Sequence, residues 1–178
     1  MRLIACGLCL LIGCAHSPSA APAAIAQACA EPERRQLDFW VGDWDLVIRA
    51  RTDPKSDQWG EAKGTNTIRG TLSGCAIEEN FHGDGPGTPW AGRSFSTFVP
   101  PAKQWRQTWV DDSGSYLAFR GGREGDDFVL MGEPRGDRQM RMVFSKITAD
   151  SLFWSWEQGT EGGSEWAPMM TIAYTRRR

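Results

Sequence analysis

After Phe39 the chain alternates apolar and polar residues over short runs, and no segment keeps a helical period for long. Alternation with period two is the mark of strands that bury one face. The runs predict strands at Trp44–Ala50, Gly64–Thr71, Ala76–His82, Arg93–Val99, Gln104–Val110, Tyr116–Arg120, Asp127–Gly132, Gln139–Ile147, Leu152–Gln158 and Met169–Thr175. Turn-forming residues separate them, among them Ser73-Gly74, Pro100-Pro101, Ser113-Gly114, Gly121-Gly122, Gly125-Asp126 and Ala149-Asp150. Regular short strands with such punctuation imply an all-β sandwich or barrel, and short connections favour an up-and-down meander. Closure into a single antiparallel β-barrel would remove the unpaired edges. Ahead of the strands, Glu31 to Phe39 has Pro32 near a possible helix start and predicts one short N-terminal helix.

Two stretches depart from this pattern. Leu3 to Ile12 is apolar or small throughout and follows Arg2. That is the shape of a secretion signal over residues 1–13, and the run is too short to span a bilayer. It ends in Leu11-Ile12-Gly13-Cys14, which resembles the lipobox of bacterial lipoproteins. The resemblance implies cleavage before Cys14 and acylation of that residue, hence a membrane partner through the lipid. Residue 15 is Ala rather than Asp, which in Gram-negative sorting implies the periplasmic face of the outer membrane. Ala15 to Ala30 is rich in Ala, Pro and Ser and reads as a flexible tether, about 20–24 Å long on average. The expected organisation is a signal at 1–13, a lipidated Cys14 and tether over 14–30, and a barrel domain over 31–178.

Composition narrows the chemistry. Loss of Arg2 with the signal leaves 19 basic residues against 22 acidic ones, so no basic field exists to recruit nucleic acid. Of the five cysteines, only Cys29 and Cys75 lie in the body. An oxidising compartment permits a bridge between them; two thiols, with Cys75 buried, are the alternative. Two separated cysteines build no metal site, and Asp111-Asp112 beside Ser113-Gly114 reads as a turn.

Alternation sorts the side chains by face. Trp105, Gln107 and Trp109 share one side; Leu152, Trp154 and Trp156 oppose Phe153, Ser155 and Glu157; Ile77, Glu79 and Phe81 oppose Ala76, Glu78 and Asn80. Phe95, Thr97 and Val99 oppose Ser94, Ser96 and Phe98. Turning the apolar face of each strand inward places Glu79, Gln107 and Trp109 inside, with Trp154 and Trp156 across the lumen. Nine Trp either fill a wide barrel or form an aromatic pocket with a few oriented polar groups. An ionised Glu79 inside costs several kcal/mol unless paired, so Glu79 needs a partner such as Arg93 or Arg106, or it meets water and ligand.

Gly42-Asp43-Trp44, at the start of the first strand, is a G-x-W. It resembles the motif of lipocalins and their calycin relatives, in which the Trp closes one barrel end. The resemblance gives Gly42 and Trp44 structural roles and implies that Arg176 or Arg177 packs on the Trp face. A longer ordered set is more specific: Phe39-Trp40-Val41-Gly42-Asp43-Trp44, Gly74 to Asn80, Trp105 to Asp111 and Ser151 to Gln158. Together they resemble a family of bacterial secreted proteins labelled only as a domain of unknown function, over nearly all of residues 36–176. The resemblance implies a calycin-like barrel and no known activity. A remote relation to the haem-binding nitrobindins would require an axial His. This domain holds only His82, since His16 lies in the tether, and no cofactor is expected. The expected function is binding of a small, partly apolar molecule in the lumen. The alternatives are an enzyme using Glu79 as general acid or base, and a structural or assembly lipoprotein without a ligand.

Overall fold

The computed structural model describes residues 29–53, 57–85, 89–160 and 162–178. The signal at 1–13, Cys14, His16 and the tether up to residue 28 lie outside the described residues. Ten antiparallel strands form one closed barrel. They are β1 (Gly42–Arg51), β2 (Trp59–Thr71), β3 (Ala76–Asp84), β4 (Trp90–Val99), β5 (Gln104–Asp111), β6 (Tyr116–Glu124), β7 (Asp127–Gly132), β8 (Arg138–Ser145), β9 (Ser151–Thr160) and β10 (Trp166–Arg176). Each strand pairs with its sequence neighbours, and β1 closes on β10 with Ile48 opposite Ile172. The meander is therefore up-and-down, and every strand edge is paired.

The short N-terminal helix forms as two 3-10 turns, Pro32–Arg35 and Asp38–Trp40. Neither has a side-chain cap, so tertiary contacts hold them. The Trp105 indole donates to the Glu33 carbonyl at 3.2 Å, and the Trp44 indole donates to the Trp40 carbonyl at 2.8 Å. The Cys29–Cys75 disulfide ties the start of this segment to the turn before β3, across a sequence separation of 46.

The segment plugs one end of the barrel. Leu37 and Trp44 are wholly buried there, with Trp40 and Trp105 nearly so. Trp40 meets Phe144 edge-on at 5.1 Å, and Phe128 stands between Trp105 and Phe144. A buried indole of roughly 200 Å² contributes on the order of 5 kcal/mol at about 25 cal/mol per Å², an upper estimate. Arg176 seals this end. Its guanidinium lies over the Trp44 ring at 4.1 Å and donates to the carbonyls of Val41 and Phe39, at 2.8 and 3.1 Å. Gly42 is needed beside it: its φ of +147° suits few L residues, and an added Cβ would run into the Arg176 guanidinium.

On β4 the apolar-inward rule gives the wrong face. Ser94, Ser96 and Phe98 are buried, whereas Phe95 is half exposed. The reason lies across the wall. Gly92 is inward, and an added Cβ would strike the Trp109 ring. Ser96 and Ser94 in turn lie beside Gln107 and Glu79. Small residues on β4 make room for the large inward side chains of β3 and β5, and that gain outweighs burial of Phe95.

Candidate functional site

Above the plug the lumen is not filled. A cavity of about 230 Å³ is lined by Trp40, Glu79, Phe81, Trp90, Gln107, Trp109, Asp111, Leu117, Phe119, Met142, Phe144, Trp154, Trp156, Met170, Ile172 and Tyr174. Glu79, Gln107, Trp109, Trp154 and Trp156, the five residues singled out from the sequence, all stand in this wall. Trp154 and Trp156 stack nearly parallel, 16° apart, and Phe119 meets Trp156 edge-on at 5.6 Å. Opposite them Phe81 packs between Trp90, at 4.4 Å, and Trp109, at 5.9 Å.

Glu79 lies deep in the cavity and is 6% exposed. Its partners are neutral. Asn66 Nδ2 donates to Oε1 at 2.7 Å, and Ser94 Oγ donates to Oε2 at 2.6 Å. Neither Arg93 nor Arg106 reaches it: Arg93 is exposed on the outer face, against Glu78 and Asn80, and Arg106 is exposed outside. Burial pushes the Glu79 carboxyl from 4.5 up to about 7, against the pull of the Ser94 and Asn66 hydrogen bonds. Asn66 Nδ2 also reaches the Tyr174 hydroxyl at 3.2 Å. Burial, and next the charge of Glu79, hold that phenol well above its ordinary range. Two polar atoms here are buried without a hydrogen-bond partner among the described residues: Asn66 Oδ1 and Trp40 Nε1, the latter directed toward Tyr174 without reaching bonding geometry.

The second acid, Asp111, ends β5 at the open rim. Burial opposes its ionisation, but hydrogen bonds from Ser113, Trp109 and Ser115 together outweigh this and hold the carboxyl well below the usual range. Trp109 Nε1 donates to it at 2.9 Å, which fixes the indole against the lumen. Asp111 and Asp112 are thus turn residues, as their setting beside Ser113-Gly114 suggests. Asp112 accepts from the Ala91 amide at 2.9 Å. His82 points outward, half exposed beside Asp84 at 3.1 Å.

Sequence reasoning missed Asn66, Ser94, Tyr174 and Trp40. Ser94 was within reach, because it stands directly opposite Glu79 across the β3–β4 ladder. Asn66 carries a fainter signal: among Thr65, Asn66 and Thr67 no residue is apolar, and only Ile68, two residues on along the same face, marks it as inward.

Residues 30–176 match a family model described as "Protein of unknown function (DUF1579)". No curated protein matches the sequence. Among solved structures, the chain is similar to the crystal structure of Rv2717c from M. tuberculosis, with TM-score 0.61 and 13% identity, over 83% of this chain and 98% of that one. It is also similar to the S-type phycobiliprotein lyase CPES from Guillardia theta, with TM-score 0.54 and 11% identity, over 80% and 90%. At such identities the likeness speaks for the calycin-type barrel alone.

Proposed function

The chain belongs to the DUF1579 family, and from its lumen we propose that it is a binding protein of the cell envelope that holds a small, largely apolar molecule. The observation that carries this reading is the open, aromatic-walled cavity with only a few polar groups around Glu79. Small-molecule sites have this make-up: apolar walls and a few placed polar groups. A dry cavity of 150 Å³ holds benzene, so about 230 Å³ suits roughly nine non-hydrogen atoms. A barrel serving only as structure would be expected to fill its lumen, and this one leaves room.

The location follows from the leader. Cleavage before Cys14 and acylation there would anchor the domain, since two or three chains bind far more firmly than one, at about 0.8 kcal/mol per buried CH₂. Ala15 points to the outer membrane. Metabolic labelling with a fatty-acid analogue tests the anchor: wild type should label, and a Cys14→Ala chain that still labels would refute it. Native mass spectrometry of the purified domain tests the binding reading. A co-purifying mass, lost on unfolding and absent from a lumen-blocked variant, is expected; a protein that stays empty and takes up no apolar probe would overturn it.

A second reading has one observation in its favour. A carboxyl titrating near 7 is suited to general acid–base work. Among the described residues, the only other carboxylate lining the cavity, Asp111, is tied up by Ser113, Ser115 and Trp109. Turnover abolished by Glu79→Gln would establish this enzymatic reading.

A further inference from the structure

Glu79 and Asp111 are the charged side chains that line the cavity, and no Lys, Arg or His among the described residues joins them. The rest of the upper wall presents Trp90, Trp109, Trp154 and Trp156. Aromatic faces carry negative potential and attract cations, indole most strongly. From this composition we propose that the lumen selects a small organic cation, with its ammonium group at the Glu79 carboxylate and its apolar part among the indole rings. The proposal rests on the binding reading above and names the chemical class of its ligand.

The environment of Glu79 argues for it from each neighbouring element. Asn66 on β2 and Ser94 on β4 donate neutral hydrogen bonds, and Tyr174 on β10 stands nearby with its proton firmly held. None brings a positive charge. A buried carboxylate with only neutral partners lacks the counter-charge that such groups ordinarily have. An alkylammonium supplies it, and its remaining N–H groups find the indole faces. Asn66 Oδ1, wholly buried beside the carboxylate, is an acceptor still without a donor. At the rim, the ionised Asp111 adds a second negative charge, which draws cations toward the mouth. A carboxylate or phosphate ligand would meet two acids and no cation.

Three probes of nearly equal size separate charge from shape: benzylamine, benzyl alcohol and benzoate. Each has a size close to the cavity's capacity. Binding to the mature chain is followed by titration calorimetry at low salt, at pH 8 and at pH 5.5, where benzylamine stays protonated throughout. Benzylamine should bind at least about tenfold tighter than benzyl alcohol at pH 8, with benzoate weakest. The preference should shrink at pH 5.5, because Glu79 takes up its proton below about 7, and it should vanish in Glu79→Gln at pH 8. The pH comparison uses the wild type, so it stands even if the variant misfolds. If benzyl alcohol binds as tightly as benzylamine, or the preference is the same at both pH values, the cation assignment is wrong while the binding lumen survives. If none of the three binds, both fall.

Discussion

Replacing Glu79 with glutamine should stabilise the empty barrel above pH 7 and do nothing of the kind at pH 4. The carboxyl titrates at 4.5 when unfolded and at about 7 when buried. Below 4.5 both states carry the proton, and burial involves a neutral acid. Between these values the unfolded chain releases the proton while the folded chain keeps it, so stability falls as pH rises. At about 1.4 kcal/mol per pH unit, the rise from 4.5 to about 7 removes roughly 3 kcal/mol, all of it lost by pH 7 to 8. The amide has no proton to lose. It keeps one oxygen for Ser94 or Asn66 and turns an NH₂ toward the other. Asn66 can meet that NH₂ with Oδ1, which is otherwise unpaired. Any residual mismatch costs about 1 kcal/mol. The net gain at pH 8 is therefore about 2 kcal/mol, or roughly 4–8 °C in Tm for a domain of this size. Urea unfolding followed by tryptophan emission, from pH 4 to pH 9 on both proteins, gives the difference curve. Asp43 and Asp111, whose carboxyls sit below their usual range, stabilise above it and lose that contribution as pH falls. They act identically in both proteins and cancel. Parallel profiles, or a variant less stable than wild type at pH 8, would refute the burial argument.

Cys75→Ser opens the Cys29–Cys75 bridge, whose 46-residue separation corresponds to about 4 kcal/mol in the loop-entropy account; urea midpoints with and without reductant should differ for wild type and coincide for the variant. Arg176→Met removes the stack on Trp44 and hydrogen bonds to Phe39, Val41 and Ala149 carbonyls, which should cost about 2–4 kcal/mol in the same assay. Lysine at that position should restore little, since it lacks the planar fork. Gly92→Val drives a side chain into the Trp109 ring; the indole must leave its place, and binding of any lumen probe should drop by about tenfold or more, with a shift in tryptophan emission.

Every one of the ten expected strands exists, because turn residues and alternation are local signals; the exception among the turns is Gly121-Gly122, which lies inside β6 opposite Leu130 and Val129. The seal was legible in part: of Arg176 and Arg177, the two candidates of the G-x-W resemblance, Arg176 packs on the Trp44 face and Arg177 pairs with Asp45, while the plug of Leu37 and Trp40 carried no such signal. What failed was a property of pairs of strands. The inward face of β4 is chosen by the volume of Trp109 and by the hydrogen-bonding needs of Glu79 and Gln107, none of which lies on β4. That error explains the next. With Phe95 turned inward, Arg93 would share the lumen with Glu79 and offer a counter-charge; with Ser94 inward, it faces outside. Of the real partners, Ser94 stands directly opposite Glu79 in register, whereas Asn66 is opposite Phe81 and reaches Glu79 diagonally, one inward position along β2 from Ile68.

The nine Trp show why a choice between packed core and open pocket was too coarse. Trp40, Trp44 and Trp105 are almost fully buried and close one end. Trp90, Trp109, Trp154 and Trp156 are half-buried and wall the cavity. Trp59 and Trp166 lie under arginines: Arg51 at 5.4 Å and Arg141 at 4.3 Å. Plug and cavity wall are thus formed largely by different indoles along one barrel, with Trp40 shared between them as plug and cavity floor. The division also has an energetic logic. Three sealed rings, a disulfide and the Arg176 clamp concentrate stability at the plugged end, and this lets the other end keep a void whose walls lack packing partners. A ligand that filled the void would restore those contacts and, by binding only the folded chain, would raise its stability by mass action.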